Sequence, residues 1–444
     1  MNTPIFDFLS EYAGGDTSRF HMPGHKGRGA LGVEAYDLTE IKGADTLYSP
    51  CGIIQMSENN ASRLFKTAHT YYSVEGSTLA IKAMLATAMV NKAETTAKAV
   101  LAARNAHKSL IYAAAELDFD ICWLYPQSDS HFCACPITAE QVREQIIAQH
   151  PFAVYVTSPD YLGNIADIAA ISAVCHELGV PLLVDNAHGA YLAFCQPSMH
   201  PIALGADMCA DSAHKTLPVL TGGAYLHISN EADSAYLNTA RRMLSAFAST
   251  SPSYLVLASL DLANRELSES YSEKTVICVE RISNLKVRLS DMGFAPMDTE
   301  PLKIVFRAVD FGYSGLELCE HLRKFDIEVE FADGEFCVLM VSPNNSELDF
   351  DRLLAAFSAL RKKEAIILSH PRLDGSLHSV VSPKVAIFSK SESVDAKDAV
   401  GRICASPTVS CPPAVPIVIS GEVITEAAAE ILLEYGVDQI EVLI

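Results

Sequence analysis

From about Asn60, short apolar runs along this chain alternate with stretches whose apolar positions recur at helical spacing. STLAIKAMLATAMV (Ser77–Val90) predicts a helix and AVLAA (Ala99–Ala103) a strand. FDICWLY, FAVYVTS and VPLLVDNA predict further strands, separated by helical stretches such as DIAAISAVCHELG (Asp167–Gly179). ADMCADSAHK and GAYLHIS add two more strands. Strand, helix, strand at this pitch implies right-handed crossovers and a mainly parallel sheet. Met1 to about Ser57 is instead rich in Gly, Pro, His and Asp with little periodicity, so FHMPGHKGRGALG reads as an arm or loop. After about Leu267 the alternation thins. TVICVERISNLKVRLSDMGF predicts a helix, and the sparser strands and helices that follow suit a smaller α+β domain. SHPRLDGSLHSVVSP reads as a connector. The expected division is an arm (1–57), a large α/β domain (58–267), a small α+β domain (268–370) and a C-terminal segment (371–444).

A length of 444 residues exceeds one small core and favours two domains or more. The net charge, 33 − 54 = −21, argues against non-specific binding to nucleic acid or to an anionic membrane surface. No uninterrupted apolar stretch is long enough to cross a bilayer, and MNTPIFDFLSEYAGG lacks the basic start and apolar core of a secretory signal. The expected location is the cytoplasm. Twelve cysteines lie scattered through apolar segments, and the nearest pair, Cys133 and Cys135, lacks CxxC spacing. Buried reduced thiols are expected, with no metal site.

In open parallel sheets ligands bind beyond the carboxyl ends of the strands, and four polar clusters fall there. Gly76-Ser77-Thr78 opens a helix and offers free N–H groups and two hydroxyls, a ready anion site; from these residues alone an ordinary helix cap is the favoured reading. Asp185 ends the apolar run PLLV, where an unpaired carboxylate is costly, so it needs a cationic partner or serves as an N-cap. His107 lies just past a strand end, where a lone histidine is more often a structural residue. Ser212, His214 and Lys215 follow ADMCAD, with small residues before the lysine and TGG after it, leaving room for a bulky planar group.

An anion site, a strand-end carboxylate, a histidine and a partly desolvated lysine together match pyridoxal 5′-phosphate (PLP). The phosphate takes the helix N-terminus, the protonated pyridine nitrogen takes Asp185, and the aldehyde bonds covalently to Lys215. Desolvation and the cofactor then lower the lysine's pKa, so that it serves as nucleophile and base.

With these residues in place the chain resembles the short-form bacterial ornithine/lysine/arginine decarboxylases. The similar stretches include FHMPGHKGR, DLTEIKGADTLYSPCGII, ASRLFKTAHTYYSVEGST, ARNAHKS, VTSPDYLGNIADI, LLVDNAHGAYL, DSAHKTLPVLTGGAYLH, STSPSYLVLASLD and AVGRICASPTVSCPPAVPIVISGE, in family order. The resemblance implies an α/β, aspartate-aminotransferase-like fold (PLP fold type I): a three-layer domain with a mainly parallel sheet, plus a smaller α+β C-terminal domain. It also implies that Ser77 and Thr78 bind phosphate, His107 stacks on the ring, Asp185 pairs with the pyridinium, and Ala187 and His188 line the ring pocket. Ser212 and His214 support the phosphate and the site, and Lys215 carries the cofactor. Thr250 reaches the phosphate of a neighbouring subunit in a homodimer, and His21 and His25 lie near the substrate channel.

The chain starts at the arm without the N-terminal wing domain of larger members, so no decamer is expected. It carries Ala414 where the family usually has glycine, and Gly222 where larger relatives often have a bulkier polar residue.

The expected reaction is PLP-dependent decarboxylation of a basic amino acid, arginine first, lysine or ornithine next. Lys215 or His214 would return the proton to Cα. Among Glu328, Glu330 and Asp333, Glu330 is favoured as partner of the substrate's distal cation, with a solvated strand edge as the other reading. The physiological role would be polyamine supply or acid tolerance. The alternatives are another fold type I enzyme, such as an aminotransferase, aldolase or C–S lyase, or a PLP-binding relative that does not turn over.

Overall fold

A computed structural model describes residues 1–126, 130–367, 377–407 and 414–444. In chain order the main elements begin with α1 (Pro4–Gly14), α2 (Ile53–Phe65), β1 (His69–Ser73), α3 (Gly76–Val90), β2 (Ala99–Ala103), α4 (Lys108–Leu117) and β3 (Asp120–Leu124). They continue with α5 (Ala139–Gln149), β4 (Ala153–Thr157), α6 (Ile168–Glu177), β5 (Leu182–Asp185), β6 (Met208–Asp211), α7 (Ala213–Thr216), β7 (Ala224–Ile228), α8 (Ala235–Phe247) and α9 (Tyr254–Glu266). Beyond these come α10 (Ser272–Asp291), β8 (Lys303–Arg307), α11 (Gly315–Arg323), β9 (Phe331–Ala332), β10 (Phe336–Met340) and α12 (Glu347–Ala359). The last are α13 (Pro383–Ile387), β11 (Ser391–Asp395), α14 (Glu426–Glu434) and β12 (Gln439–Leu443).

The chain divides into two compact units. The first comprises Met1–Leu101, Ala139–Ser158 and Asp167–Glu273; the second comprises Ala102–Thr138, Pro159–Ala166 and Lys274–Ile444.

One sheet has the strand order β1-β7-β6-β5-β4-β2-β3, and its first five strands belong to the first unit. β4, β5 and β6 pair in parallel, whereas β7 runs antiparallel to both β6 and β1. The residues of these central strands are almost all buried, as expected of strands covered on both faces. The parallel strands end together: Thr157 is in register with Asp185, and Asp185 with Ala210. This common edge is where a doubly wound sheet presents its ligand-binding groups.

The N-terminal reading needs correction. Residues 15–52 carry no helix or strand, but Pro4–Gly14 is helical. Proline in the first turn is compatible with a helix start, and Ile5 and Leu9, one helical turn apart, are fully buried. The Thr3 side chain does not cap this helix. The Asp261 carboxylate of α9 accepts the N–H groups of Ile5 and Phe6 instead, at 2.8 and 3.0 Å. A cap supplied 256 positions away leaves no local signature.

In the second unit, β8-β10-β9 form an antiparallel sheet, and β11 pairs antiparallel with β12. An apolar cluster including Val418, Ile424, Leu432, Ile440 and Val442 builds the C-terminal core. The expected domain boundary at 370–371 lies outside the described residues; the described end of the connector, 377–383, leads into α13. Eleven free cysteines are found among the described residues, most of them buried.

Candidate active site

Asp185 closes β5 and is buried. Its Oδ2 accepts the Tyr155 hydroxyl at 3.0 Å and its Oδ1 accepts the Ala187 N–H at 3.2 Å. Burial pushes this carboxyl above the usual range, while the charge of Lys215 and these two hydrogen bonds work the other way. A carboxylate has room for about four donors, so one phenol and one amide leave Asp185 short of a cationic partner.

Lys215 lies in the single turn α7, which follows β6 through Ser212. Its Nζ stands 2.9 Å from Nε2 of His188, a buried residue. Lys215 itself is exposed in the chain, against the expectation of a partly desolvated lysine. His214 anchors the same turn: its N–H donates to Gly223 O at 3.1 Å and its Nδ1 lies 3.0 Å from that oxygen. Burial lowers the His214 pKa, and the neighbouring Lys215 charge adds to the effect, so the imidazole is neutral near pH 7.

The start of α3 meets this turn directly. Ser212 Oγ donates to Ser77 Oγ at 2.7 Å, and the Gly76 N–H donates to Gly222 O at 2.8 Å. Gly222 has φ +97, and a Cβ there would come within 2.9 Å of Val74 O, so only glycine fits without strain. Ser77 is half-buried and Thr78 exposed at the N-terminal end of a 15-residue helix, where free N–H groups favour an anion. Thr250 is exposed and follows Ser249, whose N–H donates to Glu75, the residue preceding α3.

Seven of the expected residues, Ser77, Asp185, Ala187, His188, Ser212, His214 and Lys215, are thus linked through hydrogen bonds or adjacent positions in the first unit. His25, also there, pairs with Asp37 at 3.1 Å, and His21 with Tyr12 at 2.6 Å. Sequence reasoning missed Tyr155 and Asp211. Tyr155 lies inside an apolar strand, where its hydroxyl gives no periodic signal.

The second unit holds the other candidates. His107 caps α4, its Nδ1 accepting the Ser109 N–H at 3.1 Å. The next residue, Lys108, donates its N–H to Ala414 O at 3.1 Å. Ala414 has φ +56, the left-handed conformation that favours glycine. Buried Arg104 ties the same two segments together, donating to Pro416 O at 3.0 Å and Ile417 O at 2.9 Å and pairing with Glu422. Of the three acidic candidates, Asp333 is buried and taken by His131 and Tyr435, and Glu328 is exposed and paired with Arg323. Glu330 is half-buried, accepts the Tyr161 hydroxyl at 2.6 Å and lines a cavity of about 310 Å³.

Residues 3–303 match the model of the Orn/Lys/Arg decarboxylase major domain, and residues 378–435 match that of the Orn/Lys/Arg decarboxylase C-terminal domain. The chain belongs to the Orn/Lys/Arg decarboxylase family. This decarboxylase is 30% identical to the arginine decarboxylase of Halalkalibacterium halodurans, over 96% of this chain and 91% of that one. It is 29% identical to an arginine decarboxylase of Bacillus subtilis, again over 96% and 91%. The structure of the Francisella novicida lysine decarboxylase LdcF superposes with a TM-score of 0.78 at 18% identity, covering 100% of this chain and 81% of that one. The fold is therefore the aspartate-aminotransferase-like one. Among the described residues, no helix is long and apolar enough to cross a membrane.

Proposed function

We propose that this decarboxylase holds PLP at the edge of β4, β5 and β6 and uses it to release CO2 from a basic amino acid, arginine first. The observation that carries the reading is the Ser212–Ser77 hydrogen bond, which joins the Lys215 turn to the α3 N-terminus, beside a cation-seeking carboxylate, Asp185. The residues fit the group. The start of α3, with Ser77, Thr78 and Ser212, suits the phosphate; Asp185 suits a protonated ring nitrogen; Gly222, where a Cβ would meet Val74 O, lets the chain close against the start of α3. When bound, PLP supplies the electron sink for the pair left behind as the carboxylate departs.

The chain's own groups do the rest. Asp185 keeps the ring nitrogen charged. His188 orients the Lys215 amine, and Lys215 or the adjacent His214 returns the proton to Cα. Glu330 is the group for the substrate's distal cation, its geometry fixed by Tyr161. His107 is the residue for the ring face. The near-complete alignment with proteins named arginine decarboxylases favours arginine over lysine and ornithine.

A homodimer completes this reading, with Thr250 serving the partner's phosphate site. Phe20, Met22 and Leu31, 95%, 70% and 83% exposed along the segment without helix or strand, suit an interface with a second copy. Sedimentation of the purified protein tests this: a dimer is expected, and a monomer at micromolar concentration contradicts it.

The activity test is incubation of the protein and PLP with arginine, lysine and ornithine in parallel, scoring CO2 and each amine by mass spectrometry. Agmatine from arginine is expected. Keto acid without CO2 contradicts the proposal.

A further inference from the structure

Asp211 closes β6 one residue before Ser212 and is fully buried. It follows the same pattern as Asp185, a carboxylate at the end of an apolar strand, yet its surroundings differ. Oδ2 lies 3.0 Å from His200 Nε2 and 3.1 Å from His227 Nε2. Oδ1 accepts the Asn186 side-chain amide at 2.7 Å and the Cys209 thiol at 3.3 Å. Four donors satisfy this carboxylate where Asp185 has two.

His200, Cys209 and Asp211 stand close enough together to suggest a metal site, but the histidine tautomers oppose it. The Ile202 N–H donates to His200 Nδ1, so that ring carries its proton on Nε2 and aims it at Asp211. His227 Nδ1 lies 2.9 Å from the Thr70 hydroxyl, which serves it as a donor and leaves the same Nε2 proton facing Asp211. A metal there would require the Nε2 lone pair of His200, which this tautomer does not offer. The cluster is instead a carboxylate held by two imidazole N–H donors. Burial pushes the Asp211 carboxyl up, and His200 and His227 outweigh it, holding the group ionised; burial also keeps His227 neutral.

Cys209, Tyr155 and Tyr225 are pushed up by burial and are neutral, and His214 is held neutral. Asp185 and Asp211 are two buried carboxylates; the Lys215 charge favours the ionised form of Asp185, and the Asp211 charge opposes it. Asn186, bonded to Asp211, adjoins Asp185; Ser212, next to Asp211, bonds Ser77.

We propose that Asp211 is a positioning residue of the cofactor site, a fixed anion that acts through Asn186 and Asp185 to hold a protonated nitrogen in the cofactor ring. This rests on the PLP reading above. His200 and His227 keep the anion in place without touching the ligand. Their function is to solvate a charge where water is excluded.

The test compares the affinity of the cofactor-free protein for PLP and for its deaza analogue, in which C–H replaces the ring nitrogen, by fluorescence titration. The variants are D211N, D211Q and H227Q; two neutral replacements guard against a folding failure peculiar to one, and melting curves accompany each. The PLP-to-deaza affinity ratio is expected to fall about tenfold in D211N and D211Q, one unit of proton affinity at the ring nitrogen. H227Q, which keeps a donor toward Asp211, is expected to leave the ratio unchanged. Equal loss for both ligands, or no loss for either, overturns the proposal and assigns the cluster to stability alone. If the unsubstituted protein binds neither ligand, the PLP reading itself fails, an outcome distinct from both.

Discussion

Lys215 Nζ lies 2.9 Å from Nε2 of His188, so the amine proposed to bond the cofactor is oriented by a buried imidazole from the turn that follows Asp185. One three-residue step along the chain, from carboxylate to histidine, fixes both partners of the reacting groups. Replacing His188 with alanine removes the orienting contact and leaves the sheet intact. The expected effect is a fall in kcat of about 10²-fold, within the range for a positioned acid–base partner. Stopped-time CO2 release with far-UV circular dichroism checks it, and an unchanged rate removes His188 from the account.

Gly222 occupies φ +97 and gives its carbonyl to the Gly76 N–H at the start of α3. Gly222→Ala brings a methyl against Val74 O and strains the backbone, destabilising by about 1–3 kcal/mol. Because the same peptide shapes the anion site, phosphate-containing ligands lose affinity more than pyridoxal without its phosphate. Parallel titrations with PLP and pyridoxal test this; equal losses contradict the placement of the phosphate.

Asp261 caps α1 from inside the protein and accepts the Ser57 hydroxyl as well. Burial raises its pKa to about 6, from an ordinary 3.8, with Ser57 and the two amides partly opposing. A carboxyl raised on folding contributes stability that is full below its unfolded pKa and is lost as pH rises through the folded one. The wild-type stability, minus that of Asp261→Asn, should therefore decline between about pH 4 and pH 6, by on the order of 2 kcal/mol, and be level above. Urea melts at half-unit pH steps check the slope, and a level difference across that window contradicts it.

These groups differ in how visible they are in the sequence. Asp185 and Lys215 stand out because a charge at the end of an apolar strand has a physical cost, and the central strands and α3 because their apolar positions are periodic. Asp211 satisfies the same criterion as Asp185 but reads as the tail of ADMCAD until its two histidines are seen to converge from Pro201's loop and from β7. Helix α1 escapes local reading because its cap is Asp261. The antiparallel sense of β7 escapes too, since an apolar strand has the same pattern in either direction. Glu330 separates from Glu328 and Asp333 only through partners that sequence spacing does not reveal.

Ala414 adopts φ +56 while its carbonyl receives the Lys108 N–H beside His107. Alanine in this conformation costs about 1 kcal/mol, which glycine does not incur. Ala414→Gly is therefore expected to stabilise the protein by about 0.5 kcal/mol, after the unfolded chain's added freedom is offset. Denaturant melts test the sign. Destabilisation would show that the methyl group's packing outweighs the strain.

The most direct measurement of the central claim is borohydride reduction of the protein after incubation with PLP, followed by peptide mass analysis. A single pyridoxyl label on Lys215, absent from Lys215→Ala, is the expected result. A label on any other lysine, or no label in the unsubstituted protein, contradicts the account.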